Sequence, residues 1–455
     1  MRSFDVVVIG AGPGGEVAAG RLADAGLEVA VVEDRKVGGE CSFWACMPSK
    51  GLLRPAEALA ETRRIPGAAD AATGELDVQA VLDRRDEIIH DLDDSSQLPW
   101  LEDKGIALLR GWGALAGEKR VRVGEETLEV RRAVILAGGT TPTLPPIDGL
   151  AEAEPWTNRE ATIAKELPAS LVILGGGVVG VEMSQAYQSL GVQVTLIEGE
   201  RRLLPREEEF ACEQVTEALE EQGVDIRTGA KADKVERDGA RVTVRVEGGG
   251  DVTADQLLVA VGRTPQADGL GLETVGLEAE DLTKVDAHAQ VPGHDWLYVI
   301  GDLNHRAQFT HMAKYQARIA ADWILGTDSS AEQGADGPLA PRVIFTDPQV
   351  AAVGHTTKTA ADAGLEPRVV EVGTSANAGG SFYGRNARGT SRLLVDEQRD
   401  VIIGATITGS EVADFIHAAT IAIVGEVPVA RLRHAVPCFP TRSEIWLNLL
   451  AELES

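Results

Sequence analysis

Four cysteines in 455 residues are too few for the disulfide framework of a secreted chain. Positive charge is scarce as well: 43 Lys and Arg stand against 71 Asp and Glu, a formal charge of −28. Nucleic-acid backbones and anionic membrane surfaces both demand clustered Lys and Arg, so neither is an expected partner. Long apolar runs are missing too. No stretch reaches the length that spans a bilayer, and the apolar residues after Met1-Arg2-Ser3-Phe4 are too few for a secretory signal. A cytoplasmic location is expected. What remains, 44% hydrophobic and 25% charged residues, is ordinary globular material, long enough for about three domains.

Residues 5–9 (DVVVI) form a continuous apolar run, the pattern of a parallel strand covered on both faces. They enter Gly10-Ala11-Gly12-Pro13-Gly14-Gly15, then an Ala- and Leu-rich helical stretch, then a second apolar run that ends at Glu33. The device recurs at 171–198: a strand, then Gly175, Gly177 and Gly180, a helical stretch, and a strand that ends at Glu198. In both copies 23 positions separate the first glycine from the terminal acid. One G-x-G-x-x-G is a weak signal; two with equal spacing and the right flanking strands point to two dinucleotide sites.

At each site the glycines let the backbone approach a pyrophosphate, and the helix N-terminus offers unpaired N–H groups. Glu33 and Glu198 are placed to accept hydrogen bonds from ribose hydroxyls. Two dinucleotides in one chain imply a flavin, FAD, and a nicotinamide. The first site is assigned to the flavin because a cysteine pair follows it closely. A carboxylate at 198 repels a 2′-phosphate, so NADH is favoured over NADPH, although Arg201 and Arg202 follow closely.

Further along, residues 121–130 and 241–246 read as hairpin strands, and buried strands end at Gly138-Gly139 and at Gly262-Arg263, each returning the chain to the edge of a nucleotide site. The Gly-, Ser- and Asp-rich stretch 326–341 reads as a linker. Strands are expected at 343–353, 391–395 and 401–408, with helices near 360 and over 412–424, which makes a separate α+β domain.

The segment from Gly38 to Lys50 (GGECSFWACMPSK) is the most informative in the chain. Pro48 followed by a helical pattern sets Cys46 at a helix N-terminus, where the dipole and free N–H groups favour a thiolate. The Cys-x₄-Cys spacing of Cys41 and Cys46 lets the loop fold back and close a disulfide. Inert buried thiols are the bland alternative; zinc is the weaker one, since no second Cys/His pair lies nearby.

These two fingerprints, the run Cys41…Cys46-Met47-Pro48-Ser49-Lys50, the run Tyr298-Val299-Ile300-Gly301-Asp302 and the later Phe345-Thr346-Asp347-Pro348 together resemble the class I pyridine nucleotide-disulfide oxidoreductases. That family includes dihydrolipoamide dehydrogenase, glutathione reductase, mercuric reductase and the soluble transhydrogenase. The resemblance covers essentially the whole chain. It implies an α/β fold of two Rossmann-like dinucleotide-binding domains plus a C-terminal α+β dimerisation domain. FAD-binding would fall on 1–150, NAD(P)-binding on 151–268, a return to the central FAD region on 269–335, and homodimer formation on 341–455. Gly39, Gly139, Gly262, Arg263 and Gly301 would join the fingerprints in holding the cofactors, Asp302 would bind the flavin ribitol, and Lys50 would pair with Glu182 beside the flavin. Electrons would pass from the nicotinamide through the flavin to a Cys41–Cys46 disulfide, with Cys46 nearer the flavin and Cys41 attacking the acceptor.

One departure stands out. Where the disulfide reductases carry a His-Pro-Thr…Glu segment, this chain has Phe439-Pro440-Thr441…Glu444, and a phenyl ring carries no proton. His434 and Cys438 are nearby candidates for the missing role; Phe43 and Trp44 either shape an apolar acceptor pocket or pack in the core; Cys212 and His311 read as structural. Three acceptor classes stay open: a small-molecule or protein disulfide, a quinone or dye, and a transhydrogenase or metal-ion reaction. A redox-sensing flavoprotein without turnover is the alternative outside enzymes.

Overall fold

Contacts divide the chain into two units in the computed structural model, which describes residues 2–332, 335–385 and 387–454. The first unit comprises Met1–Met47, Asp86–Thr141 and Arg263–Ala340. Its sheet runs in the order Ala107–Arg110, Val29–Glu33, Ser3–Ile9, Glu126–Leu136, Arg120–Val123, Gly113–Leu115, and Leu297–Val299 also pairs with Glu126–Leu136. The run DVVVI is central because both of its faces are covered: Val6 and Val8 meet Ala18, Leu22 and Ala317, while Val7 and Ile9 meet Leu115, Leu136 and Leu297.

Strand Glu126–Leu136 does two jobs. Its first residues pair antiparallel with Arg120–Val123, as the Gly124-Glu125 turn predicts, and its last run parallel to both Ser3–Ile9 and Leu297–Val299. Helices Pro13–Asp24 and Thr310–Ile324 lie against each other, close enough at Gly14 that a Cβ there would sit 3.3 Å from the Cβ of Ala313. Part of the stretch expected to be a linker is packed structure instead. Asp336 is buried, accepts a hydrogen bond from Gln316 Nε2 (2.6 Å) and pairs with Arg306 (3.1 Å). A polar composition read as solvated because the partners that satisfy Asp336 are distant in sequence; residues 333–334 lie outside the described residues.

The second unit comprises Pro48–Arg85, Pro142–Gly262 and Pro341–Ser455. A parallel sheet, Asp225–Thr228, Gln193–Glu198, Ser170–Leu174, Gln256–Val259, carries the second fingerprint, beside an antiparallel sheet of Ala232–Asp238, Arg241–Val246 and Val252–Ala254. Segment 48–85, expected with the first nucleotide domain, is grouped here by its contacts: Leu52, Leu53, Val81 and Leu82 share a core with Val181, Met183 and Tyr187.

The C-terminal part is a five-stranded antiparallel sheet, Arg342–Ile344, Gln349–Gly354, Val401–Gly409, Thr390–Asp396, Arg368–Gly373, packed on helices Ile416–Val424 and Ile445–Glu452. The expected strand 343–353 is two strands joined by a short turn. Edge strand Arg368–Gly373 escaped the sequence because only Val370 in it is buried, leaving no alternating apolar pattern to read. Among the described residues no helix is long and apolar enough to cross a membrane.

Candidate functional site

The first fingerprint makes its loop from backbone alone. Gly10 turns at φ +105°, where a Cβ would overlap the Ala137 carbonyl, and a Cβ at Gly15 would overlap the carbonyl oxygen of Gly10. Glycine alone lets strand, loop and helix come this close. Helix Pro13–Asp24 then starts from Gly12 with no side chain capping its first N–H groups. Glu33 Oε2 accepts the Ala11 N–H (2.7 Å), and Oε1 accepts the Arg35 N–H (2.8 Å). Burial pushes this carboxyl above the usual carboxylate range, against the pull of those two N–H groups. The ribose role expected for Glu33 is thus joined by an unexpected one, clamping the loop; each oxygen still has a lone pair to offer.

The second fingerprint repeats the device. A Cβ at Gly175 or Gly180 would overlap the carbonyl of Ala260 or Gly175, helix Val178–Ser189 starts uncapped at Gly177, and Glu198 accepts the N–H groups of Gly176 (2.5 Å) and Glu200 (2.7 Å). At Gly12 and Gly177 a Cβ would meet nothing within 4 Å. Each site therefore has open space in front of an uncapped helix N-terminus, the combination a pyrophosphate needs. The residues fit two dinucleotides.

Around the first site the return segment brings further candidates together. Asp302 Oδ2 accepts the hydroxyl of Thr140 (3.0 Å), and that hydroxyl oxygen in turn accepts Arg263 Nε–H (2.7 Å). Burial raises the Asp302 carboxyl, while Thr140 and Arg263 pull it down. Arg263 also pairs with Glu40 (3.4 Å), next to the first cysteine. Gly301 turns at φ +71° and donates its N–H to Gln316 Oε1 (2.7 Å). Gly139 accepts the Gln266 N–H through its carbonyl, and Gly262 accepts that of Thr143.

The cysteine loop rests on the first fingerprint: Gly38 and Gly39 both have positive φ, and a Cβ at Gly39 would sit 2.7 Å from the Gly12 Cα. A short helix, Gly39–Phe43, carries Cys41, the chain breaks at Trp44, and helix Cys46–Arg64 begins on Cys46 itself. The Pro48 signal thus sets the helix start within two residues. Both cysteines are half-buried free thiols. Cys46 Sγ lies 3.6 Å from Oγ1 of Thr310, the first residue of Thr310–Ile324. The Cys46 thiol and burial push the Cys41 thiol well up; Thr310 and Lys314 oppose them. Phe43 is a core residue, stacked obliquely with Trp44 at 5.8 Å.

One helical turn after Cys46, Lys50 Nζ meets Glu182 Oε2 at 2.8 Å and lies 4.7 Å from the centre of the Phe345 ring. The other oxygen of the buried Glu182 accepts the Phe345 N–H (3.0 Å). This ion pair matches the expectation. At the C-terminal end Phe439 is 77% exposed, Cys438 and His434 are exposed, and Glu444 Oε2 is buried without a hydrogen-bond partner. Cys212 is buried with its Sγ on the Leu204 carbonyl, a structural place, and burial pushes its thiol up to about 11. Exposed His311 stacks on Phe309. Thr140 and Thr310 were missed by sequence reading. Nothing in a lone Thr marks it, and only the fold sets them beside Asp302 and Cys46.

Comparison with known proteins agrees with this geometry. Residues 4–317 match the family model described as pyridine nucleotide-disulphide oxidoreductase, and residues 340–449 match its dimerisation domain. A dihydrolipoyl dehydrogenase of Thermus scotoductus is 32% identical over 98% of this chain and 96% of its own. A mercuric reductase of Staphylococcus aureus is 29% identical over 97% of this chain and 81% of its own. Among solved structures, the Cu(II) complex of the HOCl-induced flavoprotein disulfide reductase RclA from Escherichia coli superposes with a TM-score of 0.86 at 25% identity, covering 99% of both chains. LpdA from Mycobacterium tuberculosis gives 0.87 at 25% identity over the whole of both. With both family models matched in order along nearly the full length, and both fingerprints formed, the chain belongs to the pyridine nucleotide-disulphide oxidoreductase family.

Proposed function

We propose that this FAD-dependent oxidoreductase takes electrons from NADH, stores them in the Cys41–Cys46 dithiol, and delivers them to a disulfide. The observation that carries the reading is the thiol pair itself: Cys46 at the first position of a 19-residue helix with its sulfur 3.6 Å from the Thr310 hydroxyl, and half-buried Cys41 five residues before it on the loop that rests against the first fingerprint. Two inert core thiols have no need of that arrangement.

Bound flavin supplies the two-electron exchange between nicotinamide and sulfur. The chain does the holding. Gly10, Gly12, Gly14 and Gly15 admit the flavin pyrophosphate to the helix N-terminus, Glu33 takes the ribose, Asp302 with Thr140 takes the ribitol, and Gly39, Gly139 and Gly301 shape the backbone around them. Gly175, Gly177, Gly180 and Glu198 do the same for the nicotinamide nucleotide, with Gly262 at its edge; Arg263 stays with Thr140 and Glu40 at the flavin site, and Lys50 is held in place by Glu182. In the acceptor half-reaction the Cys41 thiolate attacks one sulfur of the disulfide, whose S–S bond breaks with its electron pair on the far sulfur. Cys46 then attacks Cys41 Sγ, closing the Cys41–Cys46 bond and releasing the second thiol; each departing sulfur takes up one proton.

NADH is preferred because Glu198 stands at the ribose position, and Arg202 is turned away, its Nη2 donating to the Glu207 carbonyl (3.3 Å). Homodimer formation through 341–455 is supported by the dimerisation-domain match and by the unpartnered Glu444 Oε2, five residues after exposed Phe439 in the sequence. A second reading, direct reduction of a quinone, is favoured by Phe439, an exposed apolar ring where a proton carrier was expected.

Anaerobic NADH addition tests the first reading. The purified protein is expected to show a long-wavelength absorbance band that Cys46→Ser abolishes, and disulfide turnover that Cys41→Ser lowers at least about 1,000-fold. Quinone turnover that is fast and indifferent to Cys41→Ser, with no disulfide turnover in the wild type, would overturn it in favour of the second.

A further inference from the structure

Residues 199–208 lead from Glu198, at the end of its strand, into helix Glu209–Glu221. Arg201 and Arg206 in this loop are exposed and Arg202 is half-buried, yet two consecutive glutamates, Glu207 and Glu208, are buried. Buried carboxylates need partners, and both find them in the C-terminal part of the same unit. Glu207 takes Arg342, the first residue of strand Arg342–Ile344, through both oxygens (2.7 and 2.9 Å). Glu208 accepts the Thr357 N–H and hydroxyl (2.8 Å each) and Arg392 Nη1 (2.9 Å). The loop is also fastened to the second fingerprint, since the Leu204 N–H donates to the Gly176 carbonyl (2.9 Å). Arg202 is caught between these anchors. Its Nη2 donates to the Glu207 carbonyl (3.3 Å), and its Nη1 lies 3.9 Å from Glu209.

We infer that Arg342 is a positioning residue for nucleotide choice, acting through Glu207 to keep Arg202 away from a 2′-phosphate. An arginine shortly after the ribose-binding acid is the group that accommodates such a phosphate, and Arg202 stands four residues after Glu198. A guanidinium fork suits phosphate well, so a free Arg202 would work against an NADH preference. The Arg342–Glu207 fork removes that freedom. It fixes the main chain at Glu207, and with it the carbonyl that Arg202 holds. Because the pair is largely shielded from water, salt screens it little. The inference rests on the NADH preference proposed above and deepens it: Glu198 repels the extra phosphate, and Arg342 withholds the cation that would welcome it.

The test is calorimetric binding of ADP-ribose and of its 2′-phosphorylated form to the holoenzyme, a readout that needs no turnover. Arg342→Met is expected to raise affinity for the phosphorylated ligand, relative to the plain one, about tenfold, the worth of one charged hydrogen bond. Arg342→Lys, which keeps the charge without the fork, should raise it less than about threefold. Adding Arg202→Met to Arg342→Met should bring the ratio back to within about twofold of wild type, whereas Arg202→Met alone should leave it unmoved. A merely structural role would weaken both ligands together and would not depend on Arg202. Glu207→Gln, close to the native shape, reads the same release if Arg342→Met does not fold. A ratio unchanged in both Arg342→Met and Glu207→Gln overturns the inference. So does an Arg202→Met that lowers the ratio by about threefold or more in the otherwise wild-type enzyme, because Arg202 would then already be engaged. Failure of the NADH preference shows differently, as a wild type that binds the phosphorylated ligand as well as the plain one.

Discussion

The two fingerprints are the same local machine in different surroundings. Each has three glycines in identical register, an uncapped helix, and a glutamate that closes the loop by accepting two backbone N–H groups. The first is built over: Gly39 presses on Gly12, Ala313 on Gly14, and Glu33 is buried. The second is open at its mouth, with Val178 41% exposed at the start of its helix and Val261 45% exposed on the adjoining strand end. The position after the third glycine differs too, Glu16 in one and fully buried Val181 in the other. On the proposed assignment, the enclosed copy keeps a resident flavin and the open copy exchanges its nucleotide each turnover. Local motif sets what is bound; the packing around it sets how long.

Adding one methyl group to each copy breaks this comparison most sharply. Gly15→Ala forces a Cβ into the Gly10 carbonyl and should cost about 1–3 kcal/mol together with the yellow colour, read by thermal unfolding and by flavin absorbance. Gly180→Ala makes the matching clash with Gly175 but should leave a yellow protein whose KM for NADH rises about tenfold to 100-fold, the worth of one charged hydrogen bond to phosphate. Equal loss of flavin in both variants sinks the division of labour.

The glutamates sharpen it next. Glu33→Gln and Glu198→Gln each replace one accepting oxygen with a donor and orphan a backbone N–H. The buried Glu33 site should lose about 1–2 kcal/mol in denaturant unfolding. Glu198→Gln should cost less stability and instead raise the ratio of NADPH to NADH efficiency about tenfold, measured as kcat/KM for each. An unchanged ratio would mean that specificity is set elsewhere.

The smallest effect concerns Glu16, which has no acidic counterpart in the second copy. Burial raises this carboxyl from the ordinary 4.5 to about 7 in the folded chain. The folded state then binds more protons than the unfolded one between those values, so the contribution is fully present below 4.5 and is lost as pH climbs through 7. Stability of the flavin-free protein should therefore fall over that window, and Glu16→Gln should flatten the fall, gaining about 1 kcal/mol at pH 8 in urea unfolding. Parallel pH profiles of the two proteins would show that the carboxyl is not desolvated.

Most of the fold was legible because its signals are local. DVVVI and the runs ending at Glu33 and Glu198 announce buried parallel strands by unbroken apolarity, and glycine spacing announces the turns between them. Edge strand Arg368–Gly373 was invisible for the converse reason, since one buried side chain in six leaves no period. In the site, Cys41 and Cys46 could be named from their spacing and from Pro48, and Lys50 and Glu182 through the family resemblance. Thr310 and Thr140 could not, because an ordinary threonine carries no mark until distant elements close around it.

By itself, then, the amino-acid order determined two nucleotide-type loops and a reactive-looking cysteine pair at a helix start, which follow from rules acting over a few residues: glycine's φ range, helix dipoles, side-chain chemistry. That Phe439 stands where a proton carrier was expected came from the family resemblance instead. Only the tertiary structure decided that the Thr310 hydroxyl lies on Cys46, that Arg263 and Thr140 meet beside Asp302, and that Glu33 and Glu198 brace their own loops. Hydrogen bonds and fields act over a few ångströms of space, and residues separated by hundreds of positions meet at that range only after the core has closed.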